Sequence, residues 1–198
     1  HVFAWAGTAI CGLAAFAALV GWGWLPSGDE GLPGWLAASM TPDGFALFFA
    51  LFAPLVGVVV CISAPDYLER RGIAHPGEFF GLVLLALFAV VLLASAADLI
   101  TLYLGVDFLG IAAYALAGFA KRDPRSSEAG IKYFLVGAVS SAIMLYGMSL
   151  LYGLTGNTNL TAIAKRLTGS GTDPAAFAAA MLVLVGLGFK VALVPFHM

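Results

Sequence analysis

Charged side chains are scarce in this sequence. Only 10% of its 198 residues are Asp, Glu, Lys or Arg, against 62% that are hydrophobic. A soluble domain of this size needs charge on roughly a quarter of its positions to cover its surface. The solvent around most of this chain is therefore lipid, and the mean hydropathy of +1.00 agrees. The net charge of −2, with no Lys/Arg stripe among aromatics, excludes a nucleic-acid partner. Cysteine is scarcer still. Cys11 and Cys61 each stand alone in an apolar run, with no CxxC, metal-spaced Cys/His cluster or iron–sulfur pattern. They read as small buried apolar groups, so no redox centre, metal or cofactor is expected in this chain. GxGxxG, GxxxxGK[ST] and GxSxG are also missing, which leaves no sign of a nucleotide site or a hydrolase elbow.

What the chain has is long apolar runs: Val2–Trp24, Gly44–Ala64, Phe79–Ala97, Leu99–Ala120, Gly130–Tyr152 and Ala175–Val194. A helix needs roughly 20 residues to cross a hydrocarbon core of about 30 Å. The runs are too long for barrel strands and do not alternate in polarity. Helices satisfy their own backbone in lipid. The expected fold is an all-α integral membrane helix bundle of about six transmembrane helices, the last broken near Pro195. Asp173 and Pro174 suit the N-cap and first position of the sixth helix. The very short "AADL" turn makes the third and fourth helices antiparallel neighbours. Pro54 is expected to kink the second.

Basic residues orient the bundle. Arg70 and Arg71 lie between the second and third helices, and Lys121, Arg122 and Arg125 between the fourth and fifth. Both groups fall on one side, which is read as cytoplasmic. Lys165 and Arg166 break the pattern. They lie in "NLTAIAKRLTG", where Leu160, Ile163 and Leu167 share one helical face, as in a short interfacial helix. The first residue is His1 and the last interrupts an apolar run, so a fragment of a longer membrane protein is expected.

Three ionisable groups stand inside the apolar runs: Asp107, Lys132 and Lys190. An ionised side chain at bilayer depth costs at least about 2.5–3.5 kcal/mol. Such groups should face the bundle interior, beside a partner of opposite sign. Asp107 and Lys190, each near the middle of its run, are the natural pair. Burial favours a neutral lysine and a nearby carboxylate a charged one, so moving the carboxylate could release the proton. A fixed structural ion pair is the alternative. Lys132 lies close enough to its helix end to snorkel toward headgroups. Beyond Pro195, which frees a carbonyl one turn back, His197 could relay protons. Ser140, Ser141, Tyr114 and Tyr146 could support a chain of waters, though helix packing is the commoner use of such residues.

"DLITLYLGVDFLGIAAYALAGF", "RSSEAGIKYFLVGAVSSAIMLYGMSLLYGLTG" and "VGLGFKVALVPFHM" together resemble the subunit N family of NADH-quinone oxidoreductase, respiratory complex I, one of its antiporter-like proton-pumping subunits. The resemblance covers most of the chain after Phe79. It implies two parts: N-terminal transmembrane helices over 1–78, and over 79–198 the start of an antiporter-like proton-translocating module. It further implies that the chain lacks the family's first helix and its C-terminal half. Asp107 stands where the family has a glutamate, Lys132 matches the lysine of "KYF", and Lys190 matches that of "GFK" before "PFH". The implied function is a membrane subunit of a redox-driven, proton-translocating NADH:quinone oxidoreductase, with no redox centre in this chain. NADH, FMN, iron–sulfur clusters and quinone would bind other subunits. Its partners would be other membrane subunits, the lipid bilayer and protons. The implied place is the bacterial inner membrane, with the N-terminal end of this chain cytoplasmic. Asp107 is a methylene shorter than the family's glutamate, which weakens direct pairing with Lys190; a bridging water could restore it.

A subunit of a multisubunit cation/proton antiporter, without a redox partner, is the alternative. A bundle that only scaffolds its neighbours is the third reading.

Overall fold

The structure is a computed structural model, and it describes residues 2–24, 34, 39–73, 75–169 and 173–194. Among these, seven helices are named: α1 Val2–Trp24, α2 Gly44–Arg70, α3 Pro76–Ala94, α4 Leu99–Ala117, α5 Pro124–Thr155, α6 Leu160–Gly169 and α7 Pro174–Lys190. Six follow the six apolar runs, and α6 is the short helix expected between the last two. By length and composition α2, α3, α4 and α5 can each cross a membrane, and α7 is a shorter apolar helix. The chain is an integral membrane protein. Its outward faces agree: Trp5, Phe16, Val59, Ile131, Phe134 and Val139 are all exposed. An apolar patch that wide marks contact with lipid or with other apolar surface.

Aspartates start four of the helices. Asp43, Asp98, Asp123 and Asp173 cap α2, α4, α5 and α7, each accepting a hydrogen bond from a backbone N–H within its first turn. Asp173 with Pro174 behaves as the sequence predicts. The same Asp–Pro signal at Asp123 and Pro124 moves the start of α5 ahead of the expected Gly130, so Arg125 lies in the first turn of the helix. Arg70 likewise closes α2, where a cation suits the negative end of the helix dipole. That helix runs on through both Pro54 and Pro65.

The last helix ends earlier than expected. Lys190 is its final residue. Beyond it Ala192 takes a left-handed φ of 52°. Leu193 N–H donates to the Gly188 carbonyl at 2.9 Å, and Ala192 N–H to the Phe189 carbonyl at 3.1 Å. This pair of bonds is the Schellman closure of a helix. Pro195 lies outside the described residues, and the break is complete before it.

Two clusters form the core. One joins Ala4, Cys61, Ala64, Leu68 and Phe80 from α1, α2 and α3. The other joins Leu99, Val106, Met144, Met148, Leu151, Ile163 and Ala179 from α4 to α7, with Leu160 and Leu167 of α6 packed against it. Small residues let the helices close. A Cβ at Gly105 would lie 2.9 Å from the Leu93 Cα, which fixes α4 tightly against α3, as the short turn between them implies. A Cβ at Gly147 would lie 2.8 Å from the Ala179 carbonyl oxygen, which does the same for α5 and α7. Close small-residue contacts of this kind take the place of a hydrophobic driving force in lipid.

The turn between α3 and α4 is clasped on both sides by main chain. Thr41 N–H donates to the Ser95 carbonyl at 2.8 Å and Ala97 N–H to that of Ser39 at 2.9 Å. On the other side Leu99 N–H donates to the Thr158 carbonyl at 2.9 Å and Leu160 N–H to that of Ala97 at 3.0 Å. Asn159, on the same strip, caps α6 by accepting from Ala162 N–H at 3.1 Å.

Candidate functional site

The polar groups of the bundle interior come from three helices. Helix α4 supplies Asp107, Gly110 and Tyr114, spaced so that all three share one face. Helix α5 supplies Gly137, Ser140 and Ser141. Helix α7 supplies Lys190 from its last turn.

Lys190 Nζ donates to the Tyr114 hydroxyl at 2.8 Å. It also sits 5.0 Å from the Tyr114 ring centroid and 6.0 Å from that of Phe189. Both lie within the range at which a cation is attracted to an aromatic face. Two glycines clear the space. A Cβ at Gly110 would collide with the Lys190 ammonium, and a Cβ at Gly137 with the Tyr114 hydroxyl. The ring of Tyr114 meets that of Tyr133 edge-on, with centroids 4.7 Å apart.

Two turns from Tyr114 toward the start of α4, Ser141 donates to the Asp107 carboxylate at 2.8 Å. The Tyr103 hydroxyl interacts with the same carboxylate from the preceding turn. Ser140 points elsewhere and donates to the Gly186 carbonyl at 3.0 Å, tying α5 to α7. Among the described residues no buried side-chain polar atom lacks a hydrogen-bond partner.

Asp107 and Lys190 therefore act on one another without sharing a bond. They interact electrostatically, yet no ion pair joins them. The pairing expected from the sequence is corrected in this respect. The aspartate side chain is short and is taken up by Ser141, while the lysine reaches the tyrosine. Lys132 is not brought into the cluster. Its side chain is 64% exposed and pairs with Glu128 one turn earlier on α5. Tyr146 is exposed and faces outward. His197 lies outside the described residues.

Tyr114 is the residue the sequence undervalued, being weighed there mainly as a packing contact. Its signal was present: it stands two turns after Asp107, with Gly110 between them. Among the described residues no group of three or more His, Cys, Asp or Glu could hold a metal ion. Chemically, the arrangement can hold a proton on an amine, offer it to a hydroxyl and bias it with a carboxylate two turns away on α4.

Residues 96–198 match the family described as NADH:quinone oxidoreductase/Mrp antiporter, TM. The chain is 41% identical over 194 residues to NADH-quinone oxidoreductase subunit N 2 of Rhizobium meliloti, taking in 98% of this chain and 39% of that relative. Its fold is similar to a chain in respiratory complex I from Thermus thermophilus with bound aureothin. There the TM-score is 0.75 and the identity 33%, covering 98% of this chain and 40% of that one. It is also similar in fold to a chain of the Mrp complex from Dietzia, with a TM-score of 0.75 and 24% identity over 99% of this chain and 37% of that one. The chain thus spans between 31% and 39% of the length of the curated relatives it matches.

Proposed function

We propose a proton-carrying function from one premise: the chain belongs to the NADH:quinone oxidoreductase/Mrp antiporter transmembrane family. It forms part of a membrane subunit of a redox-driven proton pump, an NADH:quinone oxidoreductase, and works beside other membrane subunits, while the redox cofactors are bound by other subunits of the complex. It lies in the bacterial inner membrane with the start of α1, the Arg70–Arg71 end of α2 and the Lys121–Arg122 turn on the cytoplasmic side. Residues 79–198 begin the proton-translocating module.

The observation that supports this reading is the linked placement of Lys190, Tyr114, Asp107 and Ser141 across α4, α5 and α7. Lys190 holds the mobile proton. Its ammonium is steadied by the Tyr114 hydroxyl and by the nearby negative charge of Asp107. When Asp107 is neutralised or swings away from the lysine, that support weakens and the proton can leave. A hydroxyl both accepts and donates, so Tyr114 can pass the proton on. Lys132, with Glu128 as its counter-ion, and His197 are further candidates for proton carriers in the whole subunit.

The test uses the full-length subunit in the assembled complex, with Lys190→Met and Asp107→Asn. Fewer protons should cross per quinone reduced, with assembly intact. Unchanged coupling in both variants rejects the reading and leaves a scaffold. The Mrp-type fold supports the antiporter alternative as fold alone. A complex that moves cations with no dependence on quinone reduction would favour it.

A further inference from the structure

The two cysteines, fifty residues apart in sequence, meet between α1 and α2. They do so through a matched motif. Helix α1 reads "GTAIC" over 7–11 and helix α2 reads "GVVVC" over 57–61. The helices run antiparallel, so each glycine faces the other helix's cysteine. A Cβ at Gly7 would lie 2.9 Å from Cys61 Sγ, and a Cβ at Gly57 would lie 2.8 Å from Cys11 Sγ.

This reciprocity aims the sulfurs. Every Cα–Cβ bond in a helix tilts toward the helix N-terminus. Each cysteine sits one turn C-terminal to its own glycine, on helices of opposite direction. Both side chains therefore lean into the gap between the two glycine levels. The two thiols interact with each other there. Both are free, at 2% and 0% exposure. Buried thiols on a helix pair are ordinarily small apolar fillers; two that converge on one another are a different case. A cleft of 130 Å³ between α1 and α2, lined by Thr8 and Asp66 among others, ends against Cys61. Asp66, on the lining of that cleft, is exposed.

We propose that Cys11 and Cys61 are a reversible modification site, closing to an interhelical disulfide when a hydroperoxide reaches them. The chemistry balances with peroxide as the two-electron oxidant. One sulfur, losing its proton, attacks a peroxide oxygen; the O–O bond breaks, water leaves and a sulfenic acid remains. The second sulfur attacks the sulfenic sulfur, the S–O bond breaks, and the hydroxyl leaves as a second water with the second thiol proton. The net change is two thiols and one hydrogen peroxide to one disulfide and two waters.

Membranes containing the full-length subunit in its complex are treated with hydrogen peroxide, quenched, denatured and alkylated with a maleimide before peptide mapping. We expect a linked peptide containing both Cys11 and Cys61, lost on reduction, with both positions then alkylated. In Cys61→Ala the link is absent and Cys11 is recovered unlinked. Two results overturn the proposal. One is full alkylation of both wild-type cysteines after an exposure that oxidises a surface thiol of the same complex. The other is separate sulfinic acids without a link. The wild-type measurement stands whether or not the variant assembles.

Discussion

The Lys190 ammonium is bonded to the Tyr114 hydroxyl, not to the Asp107 carboxylate. A proton on this lysine is thus held by a neutral partner that can itself exchange protons, with the carboxylate acting across a gap. A direct ion pair would have to be broken before the lysine could respond.

Tyr114→Phe removes that partner and leaves the ring in place. A hydrogen bond to a charged group contributes about 1.5–3 kcal/mol, or about one to two decades in an equilibrium that depends on it. Proton transport in the assembled complex should fall while the complex keeps its abundance. Wild-type transport in Tyr114→Phe would show that the hydroxyl only packs.

Glycine substitutions should separate site from scaffold. Gly137→Ala drives a methyl into the Tyr114 hydroxyl, and Gly110→Ala drives one into the Lys190 ammonium. Both should reproduce the loss expected of Tyr114→Phe. Gly153→Ala meets nothing within 4 Å, so it should be silent in transport and raise stability by about 0.5–1 kcal/mol.

Gly105→Ala tests the α3–α4 contact alone. Its new methyl meets Leu93 backbone, which cannot rotate away. Overpacking of this kind costs about 1–3 kcal/mol. Thermal denaturation of the purified complex should show the loss at this subunit, and unchanged stability would show that the α3–α4 contact yields to a methyl group.

Neighbouring serines should behave differently. Ser141→Ala takes a donor from Asp107, whereas Ser140→Ala releases only the Gly186 carbonyl. Coupled transport should drop in the first. The second should lose about 0.5–1.5 kcal/mol of stability with transport kept. Equal transport in the two variants would remove Ser141 from the site.

Topology can be read by labelling. Single cysteines placed at Lys121 and at Lys165 should react with an impermeant maleimide from opposite sides of sealed membranes, with Lys121 open to the cytoplasm. Labelling of both from one side would overturn the assignment.

Much of this architecture was legible because lipid forces it. A run such as Phe79–Ala97 has few structures open to it other than a helix, and the Asp–Pro pair at 173 and 174 marks a helix start on chemistry alone. The same pair at 123 and 124 is followed by polar residues that resemble a loop, and the cap signal overrides their polarity. Lys190 and Asp107 stood out as charges in oil, but their partners did not. Whether a carboxylate reaches an ammonium depends on helix rotation and on a methylene of length. The left-handed turn at Ala192 was hidden because alanine gives no hint of positive φ.

The turn between α3 and α4 bears on Asp107 in a further way. Main-chain bonds from Thr41 and to Ser39 grip it on one flank, and bonds to Thr158 and from Leu160 grip it on the other. Helix α4 begins at this turn, so it cannot slide along its own axis without tearing those four bonds. The acid is consequently moored at a set depth in the bilayer. Any signal arriving at it must act by swinging its side chain or by changing its charge, because piston motion of α4 is denied.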